Sequence, residues 1–197
     1  MLTFDEIIDR NARLYPNKVA VSDDIKKLKF TDIAEKGCEL CNFFSLKGIK
    51  KGDRIALLSY NCIDYAAILY ATAKLDAIIV PINFRLSNNE IIEIIYNCKP
   101  KVFIFQDSFK AQVKYIKNHK SFKIFYTCLD KKPISSGTQK VISLKNKKKY
   151  RRHKSNINNS WSLMYTSGTT GKPKGVLRSH GGYFLLSAVT ATELKIR

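Results

Sequence analysis

The chain of 197 residues lacks the long apolar runs of a membrane protein. A helix that spans a bilayer needs about 20 consecutive apolar residues, and no stretch approaches that length. The first residues also differ from a secretory signal peptide, because Asp5 and Glu6 stand where such a peptide carries basic side chains. We therefore expect a cytoplasmic location and no transmembrane segment.

Paired cysteines are lacking as well, since the five cysteines are an odd number scattered along the chain. Such a set does not make a disulfide framework and is typical of a reducing compartment, so we expect free thiols. Cys38 and Cys41 have the spacing of half a metal site, but neither a second cysteine pair nor a histidine pair accompanies them. We interpret them as core thiols of a helix and predict no metal ligands.

Acidic side chains are scarce in the second part of the chain. Residues 1–130 hold 20 basic and 15 acidic residues, whereas residues 131–197 hold 15 basic and one acidic residue. Seven of these bases lie within residues 145–154, where they would attract any anion. A solvated connecting segment is the favoured interpretation, and a nucleic acid, an anionic membrane surface or small anionic substrates are the alternatives. Neither interleaved aromatic residues nor a recognition helix accompanies the charge, so no nucleic-acid partner is expected.

Glycine is also infrequent, yet three of the nine glycines fall within residues 163–176, which read LMYTSGTTGKPKGV. Glycine lets the backbone pass through positive φ and approach an anion, while hydroxyl groups donate hydrogen bonds and lysines add positive charge. We therefore predict a phosphate-binding loop; on composition alone, a flexible hairpin is the alternative. The predicted binding residues are Thr166, Ser167, Gly168, Thr169, Thr170, Gly171, Lys172, Lys174 and Gly175.

The spacing of this loop differs from that of the common strand–loop–helix nucleotide motif. That motif ends in Gly-Lys-Ser/Thr, and neither Gly168 nor Gly171 begins a register that closes in this way. Short apolar or β-branched runs at 163–165 and 176–177 flank the loop. We therefore predict two strands joined by the loop, with a helix that starts only after His180.

The first 129 residues alternate helix-like and strand-like patterns, which predicts an α/β fold with a layered sheet flanked by helices. Helix signals include capping boxes at residues 3–6 and 87–90 and a capping threonine, Thr31. The predicted helices cover about 4–15, 31–48, 63–74, 88–97 and 109–118. The predicted strands cover 19–22 and 27–30, paired as a hairpin, and 54–59, 77–82 (interrupted by Pro81), 102–105 and 123–127.

Residues 130–159 break this alternation, because they are polar, basic and poor in apolar periodicity. A strand at 141–144 is the one ordered element that they suggest. The predicted organisation is thus an α/β scaffold over 1–129, a basic connecting segment over 130–159, and the phosphate-binding hairpin with the start of a helix over 160–197.

Residues 165–175, YTSGTTGKPKG, resemble the signature loop of the adenylate-forming, or AMP-binding, enzymes. This family includes acyl-CoA synthetases, firefly luciferase and the adenylation domains of peptide synthetases. Ser179 and His180 stand where the family usually has a Ser/Thr-His pair, residues 81–87 (PINFRLS) resemble its Pro-x-Asn-x-Arg-Leu segment, and residues 2–20 resemble the start of a fatty-acid CoA ligase. We expect Arg85 to anchor local structure only.

The resemblance implies an enzyme that uses ATP, Mg²⁺ and CoA. A carboxylate would attack the α-phosphorus of ATP to give an acyl-adenylate and pyrophosphate, and a thiol would then attack the acyl carbonyl. The loop would hold the β- and γ-phosphates, chiefly through Lys174 and the four hydroxyls, whereas Lys172 is a weaker candidate because the family tolerates other residues there. His180 would lie near the acyl pocket, either as a catalytic base or as a structural residue.

Several elements that the family carries later in its sequence have no counterpart in these 197 residues. They are an aromatic-Gly-x-Thr-Glu segment, an aspartate that holds the ribose and a lysine that promotes adenylation. The resemblance therefore predicts an incomplete AMP-binding domain, the N-terminal part of an acyl-CoA synthetase for a carboxylic, in particular a fatty, acid, with the missing C-terminal portion as its partner. An inactive remnant, a luciferase-like or peptide-synthetase relative and a basic nucleic-acid-binding module are the alternatives.

Overall fold

A computed structural model of the chain describes residues 2–119, 122–129, 139–140, 156–167 and 173–195. The predicted strand at 141–144 lies outside these residues, as does most of the basic connecting segment. Within them, helices and strands alternate as the sequence indicates.

The elements of the first half begin with a helix and a small hairpin. They are α1 (Phe4–Leu14), β1 (Val19–Ser22), β2 (Lys27–Lys29), α2 (Phe30–Leu46), β3 (Arg54–Leu58), α3 (Tyr65–Lys74) and β4 (Ile78–Ile82). The later elements are α4 (Asn88–Cys98), β5 (Val102–Phe105), a 3₁₀ turn (Asp107–Phe109), α5 (Lys110–His119), β6 (Phe125–Cys128), β7 (Gln139–Lys140), β8 (Ser160–Ser167), β9 (Pro173–Ser179) and α6 (His180–Glu193).

Seven strands form the main sheet in the order β7-β6-β5-β3-β4-β8-β9. Every neighbouring pair is parallel except β8 and β9, which are antiparallel. β1 and β2 form the predicted separate hairpin. Parallel strands joined by helices must be covered on both faces, and this arrangement confirms the predicted α/β layered fold.

Two hydrophobic clusters cover the two faces of the sheet. On one face α2 and α3 pack over alternate residues of β3 and β4, such as Ile55, Leu57 and Ile79. On the other face α4 and α5 pack over the intervening residues, such as Ala56 and Leu58. This alternation follows from the two-residue period of a strand, and it makes the central strands apolar throughout.

The start of α2 differs from the sequence prediction. Thr31 is not the capping residue, because the helix already begins at Phe30 and Lys29 occupies the cap position. The Asp32 carboxylate accepts a hydrogen bond from the Lys29 N–H (2.8 Å), and the Thr31 hydroxyl donates to Pro16 O instead (3.1 Å). The capping boxes at residues 3–6 and 87–90 are confirmed.

Pro81 does not interrupt β4, contrary to the prediction. It pairs with Leu57 in the β3–β4 register, and the strand continues to Ile82. On the other edge of β4 the registered pairing with β8 is limited to Ile79 and Ser162. A proline, which cannot donate a ladder hydrogen bond, is tolerated where the neighbouring ladder is not continuous.

A buried polar cluster joins α1 to α3. The Tyr70 hydroxyl donates to Asp9 Oδ1 (2.6 Å), and Lys74 Nζ donates both to Asp9 Oδ2 (2.8 Å) and to the Tyr70 hydroxyl (2.7 Å). Burial raises the pKa of Tyr70, so the phenol stays neutral and acts as a donor. The Tyr70 ring also lies directly against Gly37 of α2, which leaves no room for a side chain there.

All five cysteines are free thiols, as expected, and Cys41 is buried in α2 with its Sγ 3.6 Å from Ala71 O. In the described ranges, no group of three potential ligands among His, Cys, Asp and Glu is close enough to hold a metal ion. Within the same residues, no helix is both long enough and apolar enough to cross a bilayer.

We predict that Gly37→Ala destabilises the fold by about 2 kcal/mol, because an added Cβ would lie 2.1 Å from Tyr70 Cδ1 and the ring is held by its hydroxyl. Urea denaturation followed by circular dichroism measures the effect. Gly182→Ala is the matched control, since its Cβ would be 3.7 Å from the nearest atom, Ser179 Oγ, and we expect a change within about 0.5 kcal/mol. Equal stability of the two variants would contradict the prediction.

Apolar side chains are exposed along β8, β9 and α6, at the end of the sheet where β9 is the last strand among the described residues. We call this region the β9–α6 apolar surface. Its members are Met164, Val176, Leu177, Leu185, Leu186, Val189 and Leu194, each at least 41% exposed. Exposed apolar side chains on neighbouring elements favour association between molecules.

We therefore predict that the isolated chain self-associates and that Leu186→Lys combined with Val189→Lys reduces this association. Light scattering coupled to gel filtration measures the change in mass. The same substitution at Ile25, which is 88% exposed and lies away from this surface, is the matched control and should leave association unchanged. A wild-type chain that stays monomeric at all concentrations tested would refute the prediction.

Candidate phosphate-binding site

The predicted phosphate-binding segment forms an antiparallel hairpin. β8 and β9 pair with Tyr165 opposite Gly175, Thr166 opposite Lys174 and Ser167 opposite Pro173. This confirms the two predicted strands on either side of the loop. Of the predicted binding residues, Thr166, Ser167, Lys174 and Gly175 lie on the two strands. The remaining ones, Gly168, Thr169, Thr170, Gly171 and Lys172, lie outside the described residues.

Thr166 and Lys174 place a hydroxyl group and an ammonium group at the mouth of the loop. They are directly opposite each other across the β8–β9 ladder, and both side chains are exposed. Cross-strand neighbours have Cβ atoms about 5 Å apart, so one anion can reach both groups. The donors are a mobile positive charge and a hydroxyl, which suit phosphate oxygens.

Gly175 serves a different purpose from the one predicted. Positive φ in the described residues occurs at other glycines, Gly48 and Gly52, and not at Gly175. An added Cβ at Gly175 would lie 2.9 Å from Leu163 Cδ1 and 3.2 Å from Tyr165 Cζ. The glycine is required because these two side chains cross over β9 at this point, and any side chain would have to displace them.

Trp161 anchors the base of the hairpin. Its indole ring stacks on Phe4 of α1 (centroids 4.8 Å apart) and on His180 at the start of α6 (5.1 Å). The indole N–H donates to Thr72 Oγ1 of α3 (3.3 Å). The register of β8 against β9 is irregular between Ser160 and Ser162. This bulge lets Trp161 face α1 and α3, although strand alternation would place it beside Leu163 and Tyr165, which pack toward the α4 side.

His180 is buried and forms part of this anchor. It is 3% exposed, its ring Nδ1 accepts a hydrogen bond from the backbone N–H of Phe4 (3.4 Å), and its backbone N–H donates to Asn159 O (3.3 Å). The helix begins at His180 rather than after it, because the Ser179 hydroxyl accepts the Gly182 N–H (3.2 Å) and caps α6. These contacts fit the structural role that the sequence left open, and the catalytic role stays a prediction.

An apolar cavity of about 280 Å³ adjoins His180 between α1 and α6. Its walls include Phe4, Ile7, Trp161, Tyr183 and Phe184. None of Thr166, Lys174 and Gly175 lines it, so it is separate from the mouth of the loop. Its lining is mostly apolar, and a role for it as the acyl pocket stays a prediction.

The hairpin residues fit a phosphate better than a metal ion. Thr166 and Lys174 offer a hydroxyl and a cation, whereas Mg²⁺ prefers carboxylate oxygens and water. The described part of the chain contains no cluster of carboxylate, imidazole or thiol groups that could hold a metal. The exposed side chains of this hairpin are therefore chemically suited to phosphate oxygens, and we assign no magnesium ligand to the described residues.

Two supports of the hairpin escaped the sequence analysis. Trp161 is the only tryptophan in the sequence and lies a few residues before the loop. This position is the one sequence signal that could have identified it as a support. The second is Asn97, whose Oδ1 accepts a hydrogen bond from the Tyr165 hydroxyl. Asn97 lies 68 positions earlier in the chain, and no sequence pattern connects it with Tyr165.

We predict that Trp161→Ala destabilises the fold by about 3–5 kcal/mol, because it removes a buried indole from a three-ring stack. Trp161→Phe keeps a stacking ring but removes the N–H donor to Thr72 and part of the buried ring, so we expect a smaller loss of about 1–2 kcal/mol. Urea denaturation followed by circular dichroism compares the two. A loss for Trp161→Ala no larger than that for Trp161→Phe would show that the stack contributes little.

The same fold occurs in solved structures of adenylate-forming enzymes. A structure described as a putative long-chain fatty-acid CoA ligase from Rhodopseudomonas palustris superimposes with a TM-score of 0.88 over 98% of this chain and 48% of that chain, at 22% identity. The anthranilate CoA ligase AuaEII, solved with anthranoyl-AMP, gives a TM-score of 0.83 over 95% of this chain and 36% of that chain, also at 22% identity. These likenesses show that the chain shares the fold of these structures.

The family follows from the sequence itself. The model of the AMP-binding enzyme family matches residues 8–196. Because this match spans nearly all of the residues, the chain belongs to the AMP-binding enzyme family, as its loop suggested.

Curated relatives of this chain are CoA ligases for several acids. A 2-succinylbenzoate–CoA ligase of Oceanobacillus iheyensis is 27% identical over 95% of this chain. An indoleacetate–CoA ligase of Aromatoleum aromaticum is 28% identical over 98%, and a crotonobetaine/carnitine–CoA ligase of Salmonella agona is 26% identical over 96%. The chain spans only 36–38% of the length of these relatives.

Proposed function

We propose that this chain supplies the phosphate-binding part of an ATP-dependent acid–thiol ligase, which activates a carboxylic acid as its acyl-adenylate and transfers it to CoA. The observation that carries the proposal is the Thr166–Lys174 pair at the mouth of a glycine-rich loop in a member of the AMP-binding enzyme family. The names of the curated relatives support the ligase assignment.

In this proposal the hairpin acts on the departing pyrophosphate. Negative charge grows on the β- and γ-phosphates as the bond to the α-phosphorus breaks, so donors that already point at those oxygens bind the transition state more strongly than the ground state. Lys174 supplies the charge and Thr166 a hydroxyl donor, together with the hydroxyls and backbone N–H groups predicted for the loop. A charge-assisted hydrogen bond contributes about 1.5–3 kcal/mol.

The proposal also includes ligands and contacts that the hairpin does not provide. Mg²⁺ would neutralise phosphate charge, and CoA would supply the accepting thiol. We assign the contacts to adenine, ribose and magnesium, and the adenylation-promoting lysine, to polypeptide equivalent to the larger remainder of the relatives. His180 enters as a residue that orients the start of α6, with a role in catalysis left as a prediction.

We propose only that the substrate is a carboxylic acid. The relatives are named for succinylbenzoate, indoleacetate and crotonobetaine or carnitine, and one structural neighbour for a long-chain fatty acid. This range does not single out a fatty acid, so that part of the sequence interpretation stays a prediction. The cytoplasmic location likewise stays a prediction.

An inactive remnant is the second candidate, which the sequence left open. Pyrophosphate release separates the two candidates. The full gene product, supplied with Mg·ATP, CoA and a panel of carboxylic acids, should release pyrophosphate only when a suitable acid is present. No release with any acid would favour the remnant.

We predict that Lys174→Ala weakens the binding of Mg·ATP by roughly tenfold or more, which is the loss of one charge-assisted hydrogen bond. Isothermal titration calorimetry of the chain with Mg·ATP gives the dissociation constant. Lys174→Arg should retain part of the affinity because it keeps the charge. Lys110→Ala is the control, since Lys110 is an exposed lysine of α5 on another part of the surface. Equal affinities of wild type and Lys174→Ala would contradict the role of Lys174.

A further inference from the structure

The Tyr165 side chain connects the phosphate-binding hairpin to the end of α4. Tyr165 immediately precedes Thr166 on β8, and its hydroxyl donates a hydrogen bond to Asn97 Oδ1. Asn97 is the penultimate residue of α4, a helix that covers the opposite side of the sheet from α3. The contact therefore joins the residue next to the loop mouth to a helix of the scaffold.

The end of α4 is itself held by the central strand. Arg54 of β3 donates from Nε to Cys98 O (2.7 Å) and from a terminal guanidinium nitrogen to Lys99 O (3.2 Å). These carbonyls belong to the last turn and cap of α4, where a helix has unsatisfied acceptors that a cation satisfies well. The hydrogen bonds from Arg54 on the central strand β3 thus fix the position of Asn97.

Backbone pairing with β4 supports the hairpin less near Tyr165 than at its base. The registered pairing of β8 with β4 is limited to Ile79 and Ser162 in the described part of the chain. Tyr165 lies three residues further along β8, so the tip of the hairpin projects past the last registered pair. Beyond that pair, the Tyr165–Asn97 hydrogen bond links the hairpin to α4.

The surroundings of Tyr165 restrict how its ring can move. The ring lies over Gly175, where even a methyl group would contact it at 3.2 Å, and it packs against the apolar cluster on the α4 side of the sheet. Burial raises the pKa of Tyr165 to about 12, so its hydroxyl remains a protonated donor at neutral pH.

We infer that Tyr165 is a positioning residue: through its hydrogen bond to Asn97 it sets where Thr166 and Lys174 stand relative to the sheet. The functional half of this inference rests on the proposed function, because it requires that the loop bind a nucleotide. The structural half does not, since the link would restrain the hairpin with or without a ligand. The two halves can therefore be tested separately.

The structural half is tested by amide hydrogen exchange on the whole chain without ligand. Tyr165→Phe removes only the hydroxyl, and we expect roughly two- to tenfold faster exchange of the β8–β9 amides, as for the loss of one neutral hydrogen bond. Exchange of β3 and β5 should stay unchanged, which excludes global destabilisation. Tyr115→Phe, at an exposed tyrosine of α5, is the matched control.

Substitutions of Asn97 identify the partner. Asn97→Ala should increase exchange of the hairpin as much as Tyr165→Phe, and the double variant should add nothing further, because both changes break the same bond. Asn97→Asp retains an acceptor oxygen and should restore slow exchange. Additive effects of the two single changes, or hairpin exchange unchanged in Tyr165→Phe, would overturn the inference.

The functional half is tested by titrating the same variants with Mg·ATP. We expect Tyr165→Phe and Asn97→Ala to weaken affinity by the same factor, roughly two- to tenfold, and Asn97→Asp to retain it. If wild type binds and the variants bind equally well while their hairpins exchange faster, the functional half is wrong. If wild type does not bind Mg·ATP but the exchange results hold, the proposed function of this chain fails while the positioning of the hairpin by Tyr165 stands.

Discussion

The stack of Phe4, Trp161 and His180 is the constraint on which the rest of the site depends. It joins the first helix, the first strand of the hairpin and the last helix, which are far apart in the sequence. Because the indole N–H also donates to Thr72 of α3, the base of the hairpin is held by three helices as well as by β4. The hairpin cannot pivot at its base without opening a buried aromatic cluster, so its direction is set by packing rather than by the loop itself.

The contacts that hold the hairpin differ between its base and its tip. Buried rings hold the base, a hydrogen bond between Tyr165 and Asn97 holds the middle, and Thr166 and Lys174 face solvent at the mouth of the loop. This gradient would suit the binding and release of an anion that we propose for the hairpin. Donors positioned in advance lower the cost of ordering when the ligand arrives, while exposure leaves them accessible. The extensive core under β3, β4 and β5 provides the fixed reference for these positions.

Much of this arrangement was predictable from local patterns. The strands at 102–105 and 19–22, the capping boxes at residues 3–6 and 87–90, and the strand–loop–strand course of the hairpin follow from periodicity and capping chemistry that act over a few residues. The errors arose where a contact outside the pattern being read decided the outcome. Lys29 rather than Thr31 caps α2, because the Lys29 N–H donates to Asp32 and the Thr31 hydroxyl donates to Pro16 O. Gly175 is needed because the side chains of Leu163 and Tyr165 cross over it, and its φ angle is not positive.

The sequence by itself determined the alternating α/β layers, the family and the chemical character of the loop, because apolar periodicity and the run of glycine, hydroxyl and lysine residues are local properties of the chain. Tertiary structure alone decided that His180 is buried beneath Trp161 and that Asn97 supports Tyr165. It also left the β9–α6 apolar surface exposed at the end of the sheet. Contacts between residues tens of positions apart depend on how the layers pack, and no periodicity within one segment encodes which side chains the packing brings together.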